Sequence, residues 1–341
     1  MDLAGARVLV VGLGRSGLGA VRFLAARGAR VIANDLRDQA ALGQAANTAR
    51  QLGAELVLGA HDQSLFTSVD RIVLSPGVPP LPALRAAERA GIPIWSEIEL
   101  SSRFLQGTVV GITGTNGKST VTTLLGEMCS GGQRPVFVGG NLGSPLVDAV
   151  DTPAAGPEGL VVVELSSFQL ERVERLRVRA AALLNLSSDH LDRYGSFEHY
   201  ATAKARIFER QAPEDAAVVP DGDETCAALA RSSRARLYTF GGRQGRVRVA
   251  EGRLFDAEGE LCLPVEEIGI GGAFNLSNAC AAALLAILNG VSEGRIAEAL
   301  RSFQGLPHRL QLVRELAGVS YWNDSKATNV AAAAAALDAL G

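Results

Sequence analysis

The run GITGTNGKST, Gly111 to Thr120, constrains the fold of this chain more than any other feature. An apolar segment, TVVGIT, leads into it, and a helix-forming segment follows. A glycine-rich loop between strand and helix turns its backbone N–H groups around phosphate oxygens, and the helix adds its positive N-terminal end. Lys118 is then set to reach the β and γ phosphates of a nucleotide, and the Ser119 hydroxyl to ligate Mg²⁺. The loop departs from the strict GxxxxGK[ST] spacing. Ile112 stands where the first glycine belongs, Gly111 comes one residue early, and Gly114 supplies the backbone freedom instead. The competing reading is a glycine turn beside a surface lysine. The strand–loop–helix order argues against it.

A second glycine loop, Gly12-Leu13-Gly14-Arg15-Ser16-Gly17, joins the strand RVLVV to a helix over roughly Ser16 to Arg27, and Asp35 ends the next strand, RVIAND. By spacing this is a dinucleotide-type turn with an acid for a ribose, so an NAD(P)-dependent oxidoreductase is one reading. A ligand-free tight turn is the other, because GxGxxG alone is a weak signal.

The pattern alternates strand and helix, which defines an α/β chain with largely parallel sheets. ELVLG, RIVLSPG and IPIWS complete a Rossmann-like N-terminal domain over residues 1–97. Residues 98–304 read as a central ATP-binding domain of the phosphate-loop type with a mostly parallel sheet. Its strands RPVFVGGN, LVVVELSS and AALLNLSSDH each end in polar residues, and AFNLSNACAAALLAILNG is its apolar helix. Residues 305–341 read as the start of a third Rossmann-like domain, with the strand VSYWND and an alanine-rich helix after Asn329. Net charge is −3 and the pI about 5.9, which speaks against a nucleic-acid or anionic-membrane binder. No cationic leader and no bilayer-length apolar run is evident, so a soluble cytoplasmic protein is expected. The four cysteines, Cys129, Cys226, Cys262 and Cys280, have no CxxC spacing and read as buried free thiols.

Three further positions carry chemistry. Glu164 ends the apolar run LVVVE, at the carboxyl edge where parallel sheets place ligands, and His190 falls at the same edge after AALLN. A helix N-cap or a satisfied buried acid is the plain alternative for Glu164, and His190 alone proves little. Lys204 lies in SFEHYATAKARIFER, a helix with Ser196 as N-cap, on the stripe of Phe197, Tyr200, Ile207 and Phe208. A lysine there must snorkel to water, be neutralised, or be modified. His61 and His199 have no comparable context and read as surface residues.

With ELSSFQLE, SDHLDRY, YATAKARI, GLPHR and NDSKATN, the chain from Arg7 to Gly341 resembles the Mur ligases, and GLPHR and NDSKATN point to their D-glutamate-adding branch. The resemblance implies an ATP-dependent, amide-forming enzyme of peptidoglycan synthesis, probing UDP-N-acetylmuramoyl-L-alanine and D-glutamate as substrates, with ATP and Mg²⁺. It implies ATP contacts from Gly114, Thr115, Asn116, Gly117, Lys118, Ser119 and Thr120. It adds Asn275 and Asn278 on the adenine side, with Arg309 and Asp324 near the nucleotide. Ser119 and Glu164 would hold one Mg²⁺. Lys204, carbamylated by CO₂, would share a second with His190. The UDP substrate would be held by Gly14, Arg15, Ser16, Asp35, Arg37, Ser75 and Gly77, with Asn141 and His190 nearer the muramoyl part. Lys326 and Thr328 would face D-glutamate and the reacting phosphoryl group. Lys118, His190, Lys204 and Lys326 are the catalytic candidates.

This use of the N-terminal glycines for a uridine diphosphate displaces the oxidoreductase reading. The intact set of Lys118, Glu164, His190 and Lys204 argues against a non-catalytic nucleotide-binding relative. One departure is Phe274, where family members carry histidine in GxHNxxN. A monomer without nucleic-acid or membrane partners is expected. Because the family's third domain is a complete α/β unit, substrate binding without D-glutamate transfer, and mobility beyond about Asn329, are expected of these 341 residues alone.

Overall fold

The computed structural model describes residues 2–327, 329–330, 333–334 and 336–337. By proximity the chain divides into two compact units: Met1–Thr108 with Phe137–Arg177, and Val109–Val136 with Val178–Gly341.

The first unit is built on β1 (Arg7–Val11), β2 (Arg30–Asp35), β3 (Glu55–Leu58), β4 (Arg71–Leu74) and β5 (Ile94–Ser96). They are parallel throughout, in the order β3-β2-β1-β4-β5. Alternate residues of β1 feed opposite faces. Val8 and Val10 join one apolar cluster, Leu9 and Val11 the other. That is why RVLVV reads as a continuous apolar run rather than an alternating one. The order reverses between β1 and β4, so a crevice opens beyond their carboxyl ends.

The segment Phe137–Arg177 is tied to this unit by buried carboxylates. The helix Glu97–Ser102, capped by Ser96, carries both. Glu97 Oε1 accepts from Val147 N at 2.6 Å, and Glu99 Oε2 from Glu174 N at 2.7 Å and Arg175 N at 3.0 Å. Arg22 pairs with Asp148, and Arg27 with Asp151 at 2.7 Å, but these pairs are exposed and contribute little. The division read from the sequence at residues 97/98 falls at the head of this helix. Burial pushes the Glu97 carboxyl up to about 7, against the hydrogen bonds from Val147 and Ser101 and with the Asp148 charge adding to the rise. The folded state therefore holds a proton that the unfolded chain releases near its ordinary carboxylate value. Stability should fall as pH rises from about 4.5 to about 7, by at most roughly 3 kcal/mol, and stay level above that. Glu97→Gln should flatten this slope in thermal melts between pH 5 and 8. An unchanged slope in the variant would assign it to other groups.

In the second unit, parallel strands run in the order Val247–Ala250, Arg236–Phe240, Ala216–Pro220, Ala180–Leu183 and Thr108–Thr113. Arg253–Asp256 and Cys262–Pro264 extend the sheet as antiparallel strands. The helix Lys118–Cys129 packs on Ala273–Leu288, whose residues Ala279 to Ala286 are all buried. Its apolar character all round follows from that burial.

Two expectations need correction. Residues 305–323 do not open with one strand of a parallel unit. Gln311–Leu316 and Val319–Asn323 form a two-stranded antiparallel hairpin, exposed along nearly its whole length. Ala317 and Gly318, at φ 50° and 77°, make a two-residue turn of the kind that matches strand twist. Alanine is a weak signal for such a turn, and Arg314 and Glu315 interrupt the apolar pattern of the first strand. Secondly, Cys262 is exposed, whereas Cys129, Cys226 and Cys280 are the buried free thiols expected. Among the described residues no helix is long and apolar enough to cross a membrane.

Candidate functional site

In the first unit, all seven residues expected at the head of the UDP substrate line one cavity of about 430 Å³: Gly14, Arg15, Ser16, Asp35, Arg37, Ser75 and Gly77. The close packing of the glycine loop explains its composition. Ser75 Oγ donates to Gly12 O at 2.7 Å, and a Cβ on Gly17 would lie 1.9 Å from that same oxygen. Only glycine fits there. Arg15 reaches Gly143 O at 2.7 Å. Burial acts to raise the Asp35 carboxyl. The Arg37 side chain and the N–H groups of Leu13 and Arg37 outweigh it and hold the group at about 2. His61, read from sequence as a surface residue, is half-buried in this cavity against Asn34 and Phe66.

Asn141 and Glu164 also belong to the first unit. Glu164 ends the strand Leu160–Glu164 and is 2% exposed. Asn141 Nδ2 donates to its Oε1 at 2.7 Å, and Asn141 N to its backbone oxygen at 2.9 Å. Gly140 allows this approach, since a Cβ there would lie 2.4 Å from Glu164 O. Glu164 Oε2 is buried with no hydrogen-bond partner. An orphaned, hard carboxylate oxygen of this kind fits a Mg²⁺ ligand.

In the second unit, the loop from Gly114 to Gly117 is suspended between side chains of three segments. Asn185 grips Asn116 through both its amide atoms, Asn116 N to Oδ1 at 2.9 Å and Nδ2 to Asn116 O at 3.0 Å. Thr115 Oγ1 bonds Ser187 N at 3.0 Å and Tyr200 Oη at 3.1 Å. The Asn116 side chain pairs with that of Asn329, which also reaches Asp189 Oδ2 at 3.2 Å. Gly117 has φ 83°, and a Cβ there would lie 2.3 Å from Asn278 Oδ1. Lys118 Nζ lies on Gly114 O at 3.0 Å and Thr115 O at 2.7 Å, at the loop's mouth. Ser119 Oγ accepts from Arg309 Nη2 at 3.1 Å.

Lys204 lies on the stripe expected of it and does not snorkel. It is 2% exposed on the helix Phe197–Ala205, which Ser196 caps. Its Nζ donates to Gly114 O at 2.7 Å and stands 4.8 Å from the centre of the Tyr200 ring. His190, at φ 52°, sits 6.2 Å from that ring, edge on. Tyr200 is thus the hub joining the loop, His190 and Lys204. Its apolar spacing marked it only as core. Burial pushes its hydroxyl up to about 12, partly offset by Thr115, so it is a neutral hydrogen-bonding group.

Asn275, Arg309 and Thr120 line a cavity of about 620 Å³ with Trp322. Asn278 lies beneath Gly117 instead, and Phe274 lines a smaller pocket with Asn116, Gly117, Arg309 and Asp324. Asp324 Oδ1 accepts from Leu310 N at 3.1 Å, and Lys326 is exposed. Thr328 lies outside the described residues. Among the described residues no three His, Cys, Asp or Glu side chains gather as a metal cluster. The expected ligand set draws on a hydroxyl and a modified lysine, which such a cluster would not contain.

A phosphate loop heading a helix on a parallel sheet, with lysine, serine and a buried lysine beside it, is the site of a nucleotide-dependent α/β enzyme. Residues 112–286 match the Mur ligase middle domain, and residues 6–96 the Mur ligase MurD-like N-terminal domain. The chain belongs to the Mur ligase family, and is an ATP-dependent, amide-forming ligase of peptidoglycan-precursor synthesis. The dinucleotide oxidoreductase reading of Gly12–Gly17 falls with that match. The chain is 44% identical over 351 residues to a UDP-N-acetylmuramoylalanine--D-glutamate ligase of Trichlorobacter lovleyi, covering 100% of this chain and 77% of the relative. The protein of the same name from Myxococcus xanthus is 45% identical, with the same coverage. In fold it is similar to a murein peptide ligase of Psychrobacter arcticus, with a TM-score of 0.63 and 17% identity over 98% of this chain and 75% of that one.

Proposed function

We propose that this enzyme adds D-glutamate to UDP-N-acetylmuramoyl-L-alanine. The observation that carries the reading is identity of 41–46% along 96–100% of this chain to eight relatives named UDP-N-acetylmuramoylalanine--D-glutamate ligase. The first-unit cavity takes the UDP end, with Asn141 toward the muramoyl part. Gly114 to Thr120 hold the ATP phosphates, with Asn275, Asn278, Arg309 and Asp324 around the rest of the nucleotide. Lys326 and Thr328 serve D-glutamate. The reading also makes the protein a cytoplasmic monomer.

The chemistry runs in two steps. The L-alanyl carboxylate attacks the γ-phosphorus of ATP, giving an acyl phosphate and ADP. The D-glutamate amine then attacks the acyl carbon, and phosphate leaves as the amide forms. Lys118 offsets the charge moving across the phosphates, and the loop N–H groups hold them in line. Mg²⁺, when bound by Ser119 and Glu164 and by His190 with carbamylated Lys204, supplies further charge neutralisation. The buried, partnerless Glu164 Oε2 supports Glu164 as a ligand, and the burial of Lys204 beside the loop supports its modification.

The test is a ligase assay with ATP, Mg²⁺ and the UDP-muramoyl substrate, in which phosphate release should require D-glutamate. L-Glutamate should support a rate lower by at least roughly 100-fold, because a mispositioned amine forfeits much of the advantage of a bound reactant. Equal rates with L-glutamate or with a diamino acid would overturn the assignment.

A further inference from the structure

The phosphate loop of the second unit is held by a side chain that neither the sequence nor the family reading assigned. We infer that Asn185 is a positioning residue for phosphate binding: its amide grip on Asn116 fixes two loop peptides in the orientation that turns the Gly117 N–H toward the nucleotide. This rests on the reading of Gly114 to Thr120 as the ATP-phosphate loop and deepens it.

The partners fix the amide. A backbone N–H only donates and a carbonyl only accepts, so the atom 2.9 Å from Asn116 N is Oδ1 and the atom 3.0 Å from Asn116 O is Nδ2. The side chain thereby extends a ladder. The strands Thr108–Thr113 and Ala180–Leu183 are parallel, with Thr113 beside Leu183. Beyond them Leu184 N donates to Thr113 O, and Thr115 N to Asn185 O, each at 3.0 Å. The Asn185 amide takes the next place. It presents to Asn116 the donor and the acceptor that a neighbouring strand would.

The consequence lies on the other side of the loop. Among the described residues no peptide bond is cis, and in a trans peptide the N–H and C=O point in opposite directions. Because the Asn116 N–H faces Asn185, Thr115 O faces away from it, and there it meets Lys118 Nζ at 2.7 Å. Because Asn116 O faces Asn185, the Gly117 N–H is likewise turned away, to the side that holds the Lys118 ammonium. Rotation of the Asn116–Gly117 peptide would replace that donor by a carbonyl, which repels a phosphate. Such a rotation changes ψ of Asn116 and φ of Gly117. Gly117 stands at φ 83°, and glycine accepts either sign, so the backbone itself does not prevent it. The hydrogen bonds to Asn185 do.

The experiment joins calorimetric titration of the full chain with ADP and Mg²⁺ to an NMR reading of one amide. Asn-Gly occurs twice in the sequence, at Asn116-Gly117 and Asn289-Gly290. Labelling asparagine with carbonyl ¹³C and glycine with ¹⁵N therefore selects two amide signals, Gly117 and the reference Gly290. Saturating ADP should move the Gly117 proton downfield, as a hydrogen bond to phosphate does, and leave Gly290 in place. Asn185→Leu, close in size but without the amide, should bind ADP about tenfold more weakly, the effect of one lost hydrogen bond to a charged group. At saturation its Gly117 signal should no longer move. A folded Asn185→Leu that keeps full ADP affinity, or keeps the Gly117 shift, overturns the role of Asn185. Binding of ADP by the unsubstituted protein with Gly117 unmoved overturns this inference but leaves the loop reading standing. Absence of ADP binding by the unsubstituted protein overturns the loop reading, and this inference with it. If Asn185→Leu does not fold, Asn185→Asp decides. Its second carboxylate oxygen repels Asn116 O and accepts from Gly117 N–H in the rotated peptide. Read at saturating ADP, where affinity no longer enters, an unmoved Gly117 signal supports the inference and a full shift overturns it.

Discussion

Lys118→Ala is expected to lower the rate of ATP-dependent acyl-phosphate formation by at least roughly 1,000-fold while the protein stays folded. Lys118 is the first residue of the helix Lys118–Cys129, and its Nζ stands at the mouth of the loop, on Gly114 O and Thr115 O. The loop has other supports. Asn185, Ser187, Tyr200 and Asn329 hold Thr115 and Asn116 independently, and the glycines set the backbone. On the proposed reading, removing the ammonium removes charge from where the transferred phosphoryl group would develop it, together with two hydrogen bonds to loop carbonyls. The check is release of ADP from ATP and the UDP-muramoyl substrate, and of phosphate once D-glutamate is added, read beside a thermal melt. Near-normal turnover by a folded variant would refute the role. Lys118→Arg should restore only part of the rate, because the guanidinium is planar and longer than the ammonium the loop admits.

Much of this molecule was legible because strand ends and glycines carry position-specific meaning. β1, β2 and the loops after them were readable from apolar runs stopped by Gly12 and Asp35, and the parallel sheet follows from the alternation of strands with helices. The seven cavity residues were legible through the resemblance, and they do converge. What stayed hidden depends on partners distant in sequence. The grip of Asn185 on Asn116 spans 69 positions, and neither residue has a periodicity to mark it. Tyr200 looked like core because it is core on one side and a hydrogen-bonding hub at its hydroxyl. His61 looked like a surface histidine because its partner, Asn34, lies 27 positions away on the strand β2. The docking of Phe137–Arg177 through Glu97 and Glu99 was equally hidden, since two acids at a helix start ordinarily face water.

The second large effect concerns Lys204. A lysine 2% exposed, beside the rings of Tyr200 and, through it, His190, stands where an ammonium is costly and an amine is reactive. A hydrogen bond to Gly114 O ties it to the phosphate loop itself. Addition of CO₂ to the neutral amine would replace a cation by a carboxylate on the same stem, and give Mg²⁺ the oxygen ligands it prefers. Lys204→Ala is therefore expected to lose activity by at least roughly 100-fold, as removal of a metal-positioning group does. It should regain a measurable part with added acetate or propionate, whose carboxylate can enter the space the side chain vacates. Lys204→Arg should not be rescued, because its guanidinium fills that space and stays charged. The arms separate two roles. A lysine acting as a cation would be better replaced by arginine than by alanine plus a carboxylic acid. A carbamate requires the reverse order, and also a fall in activity when the unsubstituted enzyme is stripped of CO₂ and bicarbonate. Full activity after stripping, or arginine outperforming the rescued alanine variant, would remove the carbamate and leave Lys204 as a structural cation beneath the loop.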